Sequence, residues 1–366
     1  MPLAPRRETI PVQVGKLVIG GGAPISVQSM TNTRTEDLEA TLQQIRTLAE
    51  QGCELVRVAV PDLKAAANLA DLVRESPIPL VADIHYDPGL ALAALRAGVP
   101  KIRINPGNIG GRDKLREIVA EAARRGAAIR IGVNAGSLER RAAREHGPGT
   151  PQALVESALG YLDYLEKLNF RQVVLSLKAS DVVTTIQAYR LAARRVPYPF
   201  HVGITEAGPP PEGIVKAAVG IGTLLEEGIG DTLRVSLTAD PGEEVRVGRQ
   251  ILQALRLRTF GPELISCPTC GRCEAELIPL VREVAAAVEK FPYPIKIAVM
   301  GCSVNGPGEA READLGITAG RKQGLLFRRG KVIRTVPRER LLAALLEELE
   351  RYREAGDFDP GSEPSC

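Results

Sequence analysis

A chain of 366 residues exceeds the roughly 100–200 residues of a typical single domain, yet it suits one α/β barrel of up to about 250 residues plus a small module. Lys and Arg total 47 against 44 Asp and Glu, a formal charge of +3, and the 4% of aromatic residues include no Trp, which excludes the dense positive field and stacking surface of a nucleic-acid binder. No apolar run approaches the roughly 18 residues that cross a bilayer, and Met1 to Glu8 lacks the apolar core of a signal peptide, so the expectation is a cytoplasmic protein without a membrane partner.

From Ile25 to Ala254, short β-branched runs alternate with longer amphipathic stretches, the pattern of βα units. The expected strands are Ile25–Met30, Glu54–Val60, Leu80–Asp83, Lys101–Ile104, Ala128–Val133, Gln172–Leu177, Phe200–Ile204 and Thr232–Leu237, each followed by a helical stretch. The first helix illustrates the signals: Thr35 as cap, Leu38, Leu42, Ile45 and Leu48 as an apolar stripe, and Gly52 as stop. Eight units in succession predict a (β/α)8 TIM barrel over residues 1–258.

The alternation breaks near Phe260, where Gly261-Pro262 precedes a cysteine cluster. Residues 259–355 are expected to form a small α+β module: a helix from Ala275 to Lys290, a strand from Ile295 to Val299, short strands near Leu315 and Leu325, and a helix from Arg338 to Glu354. The polar, Pro- and Gly-containing residues 356–366 are expected to be a disordered tail.

Barrel enzymes build their sites at the C-terminal ends of the strands, and here those ends are basic. Arg57, Arg103, Arg130, Lys178 and Arg234 come from five different strands. Burying that many cations costs several kcal/mol each unless anions compensate, which points to a phosphate or diphosphate ligand; internal pairing with Asp83, Glu206 or Glu54 is the structural alternative. Gln28, Ser29, Asn32, His85, Asn105, Asn134 and Ser236 stand at or just past strand ends and can orient hydroxyls. Glu206 is a candidate proton donor or acceptor, or simply the partner of an Arg. His85 and His201 lack the spacing of metal ligands, and His146 falls in an expected loop.

Cysteines occur at 53, 267, 270, 273, 302 and 366, and Cys267-x-x-Cys270-x-x-Cys273 followed by Cys302 can grip one compact centre. Both zinc and a [4Fe-4S] cluster accept such thiolates, so spacing leaves the metal open. The turn Asn305-Gly306-Pro307-Gly308-Glu309 can return Glu309 to Cys302, giving a set of Cys267, Cys270, Cys302 and Glu309 with one displaceable ligand. The competing set uses Cys273 and is closed. Cys53 reads as a small buried hydrophobe.

The stretches Pro24–Thr33, Lys101–Gly110, Ile129–Glu139, Ser176–Asp181, Gly203–Gly208, Ser266–Cys270 and Gly301–Glu309 resemble the 4-hydroxy-3-methylbut-2-enyl diphosphate synthases of the methylerythritol phosphate isoprenoid pathway, over nearly the whole chain. The resemblance implies reductive ring opening of 2-C-methyl-D-erythritol 2,4-cyclodiphosphate, with two electrons passed singly through a [4Fe-4S] cluster from reduced flavodoxin or ferredoxin. It implies cluster ligation by Cys267, Cys270, Cys302 and Glu309, and substrate binding by Arg57, Arg103, Asn105, Arg130, Asn134, Lys178, Arg234 and Ser236. Glu206 would be the proton-handling acid and Glu309 the ligand that substrate displaces, in a homodimer whose cluster modules cap the partners' barrels. Cys273 is extra to that pattern. The rival reading is a phosphate-binding barrel enzyme with a structural zinc knuckle.

Overall fold

Strands covered on both faces must be apolar throughout or carry polar groups that the interior can use, and the chain shows both cases. The computed structural model describes residues 3–105, 107–134, 138–289, 291, 293–302 and 310–354. It divides into two units, Met1–Arg258 and Thr259–Cys366.

The first unit begins with an antiparallel hairpin, β1 (Val12–Val14) and β2 (Leu17–Ile19). Then follow β3 (Ser26–Met30), α1 (Leu38–Glu50), β4 (Leu55–Ala59), α2 (Leu63–Ala67), α3 (Leu69–Glu75), β5 (Leu80–Ile84), α4 (Pro88–Arg96), β6 (Lys101–Ile104) and α5 (Arg112–Arg125). The rest is β7 (Ala128–Asn134), α6 (Arg140–His146), α7 (Pro151–Lys167), β8 (Val173–Lys178), α8 (Val182–Ala193), β9 (His201–Val202), α9 (Glu212–Glu226), β10 (Thr232–Leu233) and α10 (Pro241–Ala254). Strands β3 to β8 pair in sequence and in parallel, β10 joins β9 to β3, and a parallel bridge between Leu175 and Phe200 closes the ring. The TIM barrel read from the sequence is the fold.

Local differences have local causes. Helix α1 is capped by Asp37, whose carboxylate accepts from the Ala40 amide at 3.1 Å, rather than by Thr35, which is buried. Gly52 does end it, at φ 92°, a backbone that favours glycine. Strands β9 and β10 are shorter than expected, and His146 closes a helix instead of lying in a loop. The hairpin was not foreseen, because its strands are only three residues long. It plugs the N-terminal end of the barrel: Val12, Val14 and Ile19 pack on Leu55, Val81, Ala128 and Val174, all fully buried.

The second unit contains β11 (Glu263–Ser266), α11 (Leu277–Val288), β12 (Lys296–Met300), β13 (Leu315–Ala319), β14 (Gln323–Arg328), β15 (Lys331–Pro337) and α12 (Leu341–Glu354). Its sheet follows chain order, parallel from β11 to β13 and antiparallel from β13 to β15. Val284 and Val288 of α11 and Leu345 and Leu349 of α12 share one apolar cluster with Ile297, Val299 and Ile317 of the sheet. Strand β15 escaped the sequence pattern because it is a mostly exposed edge strand with a register shift opposite Leu326 and Phe327. The expected tail lies outside the described residues.

Replacing Ile19 by Ala removes apolar volume from the fully buried plug and is expected to destabilise the barrel by about 2–4 kcal/mol, read as a lowered urea midpoint. An unchanged midpoint would show the hairpin to be dispensable.

Candidate active site

Inward positions alternate along each barrel strand, and register sets which of them are neighbours. Asp83 lies opposite Arg103 across β5 and β6, and Arg103 opposite Arg130 across β6 and β7. Where these strands end, a cavity of about 280 Å³ opens. Arg57, Arg103, Arg130, Lys178 and Arg234 all line it, as do Asn134 and Ser236. Met30, Asp83, His85, Ser176 and Thr205 complete the wall.

Two carboxylates organise the cations. Asp83 accepts from Arg103 Nη1 and meets His85 Nε2, both at 3.2 Å, and lies 3.8 Å from Arg57 Nε. Burial alone would raise its pKa, but Arg57, His85, Arg103 and Arg130 hold it well below the carboxylate range. Arg57, largely desolvated and close to Arg234 and Arg103, is itself lowered to about 10 in spite of Asp83. The second carboxylate is Glu244, in the first turn of α10. It takes a two-point fork from Arg234, Nε to Oε2 and Nη2 to Oε1, each at 3.0 Å. Ser29 Oγ and the Leu237 amide also donate to Glu244, so four hydrogen bonds from three residues hold it.

Small residues make the remaining space. A Cβ on Gly132 would stand 2.6 Å from Arg103 Nε, and one on Gly203 would stand 2.7 Å from Lys178 Nζ and 2.4 Å from the Arg234 carbonyl oxygen. Each glycine therefore leaves room for a cation to lie flat against the barrel wall. Beneath, His201 is fully buried, and burial together with Lys178, Arg130, Lys101 and Arg57 pushes its pKa well below the ordinary value.

Not every expected residue lines the cavity. Asn105 is buried beside it and its Oδ1 accepts from the Gly107 amide at 3.1 Å, shaping the turn after β6. Glu206 is exposed and follows Thr205 with φ 53°, a left-handed backbone that costs a non-glycine residue on the order of 1–3 kcal/mol. Neither Glu206 nor Glu54 is the internal counter-ion: Glu54 pairs with Arg258 at 2.7 Å, and Glu244 serves Arg234. Ser29 points to Glu244 rather than to the cavity, and Asn32 bonds Gln44. Glu244 carried a legible signal, since acidic residues favour a first helical turn, but its pairing with a residue ten positions earlier did not.

In the second unit, Ser266 lies opposite Val299, so Cys267 and Cys302 leave the ends of two adjacent parallel strands. The Gly301 amide donates to Cys267 Sγ at 3.2 Å, Cys302 is buried and Cys270 exposed. Cys273 Sγ donates to the Ala275 carbonyl at 3.1 Å. Glu309 lies outside the described residues, and among the described residues no three His, Cys, Asp or Glu side chains gather around one point. Cys53 is buried, its thiol pushed up to about 12 by desolvation.

A family model described as the GcpE TIM-barrel domain matches residues 9–249, and a second, the GcpE protein C-terminal domain, matches residues 263–351. The chain belongs to the GcpE family. A protein of Geobacter sulfurreducens named 4-hydroxy-3-methylbut-2-en-1-yl diphosphate synthase (flavodoxin) is 55% identical over 94% of this chain and 98% of its own. A protein of the same name from Caldanaerobacter subterraneus is 54% identical with the same coverage. Among solved structures, the Yersinia pestis dihydropteroate synthase aligns at 12% identity and a TM-score of 0.48, over 68% of this chain and 99% of that one, a likeness too distant to bear on function. GcpE membership favours the reductase reading over the zinc-knuckle rival, and no described helix is long and apolar enough to cross a membrane.

For this GcpE-family barrel, Glu244→Ala strands the half-buried Arg234 guanidinium and is expected to cost about 3–5 kcal/mol in urea unfolding, with Glu244→Gln losing less. His201 stays neutral when folded, whereas the unfolded imidazole takes a proton near 6.5. Its contribution is therefore complete above that pH and falls by about 1.4 kcal/mol per unit below it. His201→Gln should flatten that part of the stability profile; an unaltered slope would mean that His201 is protonated in the fold.

Proposed function

We propose that the chain reduces 2-C-methyl-D-erythritol 2,4-cyclodiphosphate to 4-hydroxy-3-methylbut-2-enyl diphosphate in non-mevalonate isoprenoid synthesis. What carries the reading is a barrel cavity lined by five cations, in a chain 55% identical to a relative named for that product. Two carboxylates do not neutralise five cations, and a cyclic diphosphate supplies the missing negative charge. Arg57, Arg103, Arg130, Lys178 and Arg234 would hold its phosphates, the guanidinium forks fixing orientation. Asn105, Asn134 and Ser236 would direct the hydroxyls, and Glu206, beside Thr205 at the rim, would handle the proton.

The donor set in the second unit fits an iron-sulfur centre. Thiols leave two adjacent strand ends, and a backbone N–H already points at Cys267 Sγ, the kind of bond that tunes cluster sulfurs. Cys267, Cys270, Cys302 and Glu309 would hold a [4Fe-4S] cluster, leaving Cys273 occupied with the Ala275 carbonyl. Such a cluster, when bound, supplies single electrons taken from a reduced flavodoxin, the donor in the relatives' names, or from a ferredoxin. Reductive opening breaks a ring C–O bond and releases a hydroxyl as water, so the chain's own tasks are to seat the diphosphate and deliver the proton. The homologous barrel and cluster modules are proposed to work in a cytoplasmic homodimer.

Anaerobically purified protein is expected to contain iron and acid-labile sulfide in equal amounts and, with reduced flavodoxin, to consume the cyclodiphosphate. Zinc without iron or sulfide would sink the cluster assignment. Glu309→Ala should keep iron yet lose turnover on the order of 100-fold, while Cys273→Ser should change little. Loss of the cluster in Cys273→Ser would move that residue into the ligand set.

A further inference from the structure

The barrel interior below the cavity is unlike the branched apolar layers that usually fill this fold. Ser26, Thr232 and His201 are register neighbours on β3, β10 and β9, and all three are buried. Ser26 Oγ, Thr232 Oγ1 and both ring nitrogens of His201 have no hydrogen-bond partner among the described residues. The same holds for both amide atoms of Gln28, for Lys101 Nζ, and for Nε and Nη1 of Arg130. Native interiors satisfy nearly all such atoms, and in a polar chamber water does so.

Charge makes the region unusual as well. Arg57 and Arg103 face Asp83, and Arg234 faces Glu244, but Lys101, Arg130 and Lys178 have no ion-pair partner among the described residues. Lys178 is surrounded by Arg57 on β4, Arg103 on β6, Arg130 on β7, His201 on β9 and Arg234 just after β10, with Asp83 on β5 the opposing charge. Gly203 brings its Nζ close against the wall. A buried ammonium without a counter-ion sheds its proton rather than bear the loss of solvation, whereas a guanidinium keeps its charge. Burial, together with Arg130 and Arg57, indeed holds the Lys178 and Lys101 amines well below their ordinary values.

We propose that anion binding at the mouth is coupled to proton uptake by the buried column of Lys178, His201 and Lys101, with Lys178 the acceptor that faces the anion. The proposal rests on the reading of the mouth as a diphosphate site and adds that the empty site stores fewer positive charges than its residues suggest. The incoming oxyanion provides the counter-charge that makes the ammonium form the stable one. Each binding event therefore carries a proton from solvent into the cavity, and His201 and Lys101 spread the added charge below.

Sulfate tests this without the substrate's own titration, because it does not change protonation near neutrality. Calorimetric titration of the full chain with sodium sulfate, in buffers of different ionisation enthalpy, is expected to show uptake of about one proton per sulfate. Lys178→Met should bind sulfate more weakly and lose most of the uptake. Lys101→Met, which does not line the cavity, should lower the uptake without weakening binding, since it removes one base of the column. Sulfate that binds with a heat independent of buffer would overturn the proposal while leaving the diphosphate reading intact. Failure of both sulfate and inorganic pyrophosphate to bind would remove the reading on which it stands.

Discussion

Positive charge gathered inside a closed parallel barrel is the constraint on which the rest of this structure depends. Desolvating a guanidinium or ammonium is expensive, and a packed apolar interior offers nothing in return. The barrel meets that cost with two well-placed carboxylates. Asp83 reaches three neighbours at once, and Glu244 reaches across from the start of a helix whose dipole already favours a negative charge. Both act on Arg residues that also wall the cavity, so the same contacts that stabilise the fold aim the donors at the mouth. Fold stability and the shape of the cavity are in this sense one arrangement.

Glycine contributes as much as charge. At Gly132 and Gly203 a barrel wall that would ordinarily present a branched side chain presents bare backbone, and a long cation occupies the space. The interior is thus filled by side chains reaching sideways from neighbouring strands instead of by local packing, which explains how a ring of eight strands accommodates so many Arg and Lys residues.

Much of this was legible in the amino-acid order, for identifiable reasons. Parallel strands covered on both sides read as short apolar runs, so seven of the eight barrel strands agree with expectation to within a residue or two at either end. The cations stood out because Arg inside such a run has no cheap structural explanation. What escaped was set by tertiary pairing. Glu244 looks like any acidic residue in a first helical turn, and only the folded chain shows Arg234 bound to it. Asp37 displaced Thr35 as a cap because both are good caps two residues apart, and backbone geometry chose between them. Strand β15, exposed and bulged, has no alternation to read. The exposure and left-handed backbone of Glu206 likewise left no mark in the sequence.

The hairpin at the foot of the barrel has a consequence in time. Its docking surface is assembled from Leu55, Val81, Ala128 and Val174, contributed by four strands spread over more than a hundred residues of chain. No part of that surface is complete until those strands have come together, so the hairpin, although it precedes them in the chain, has nowhere to settle until late. Contacts of such long sequence separation are slow to form. The hairpin is accordingly a latch on a finished ring rather than a seed from which the ring grows.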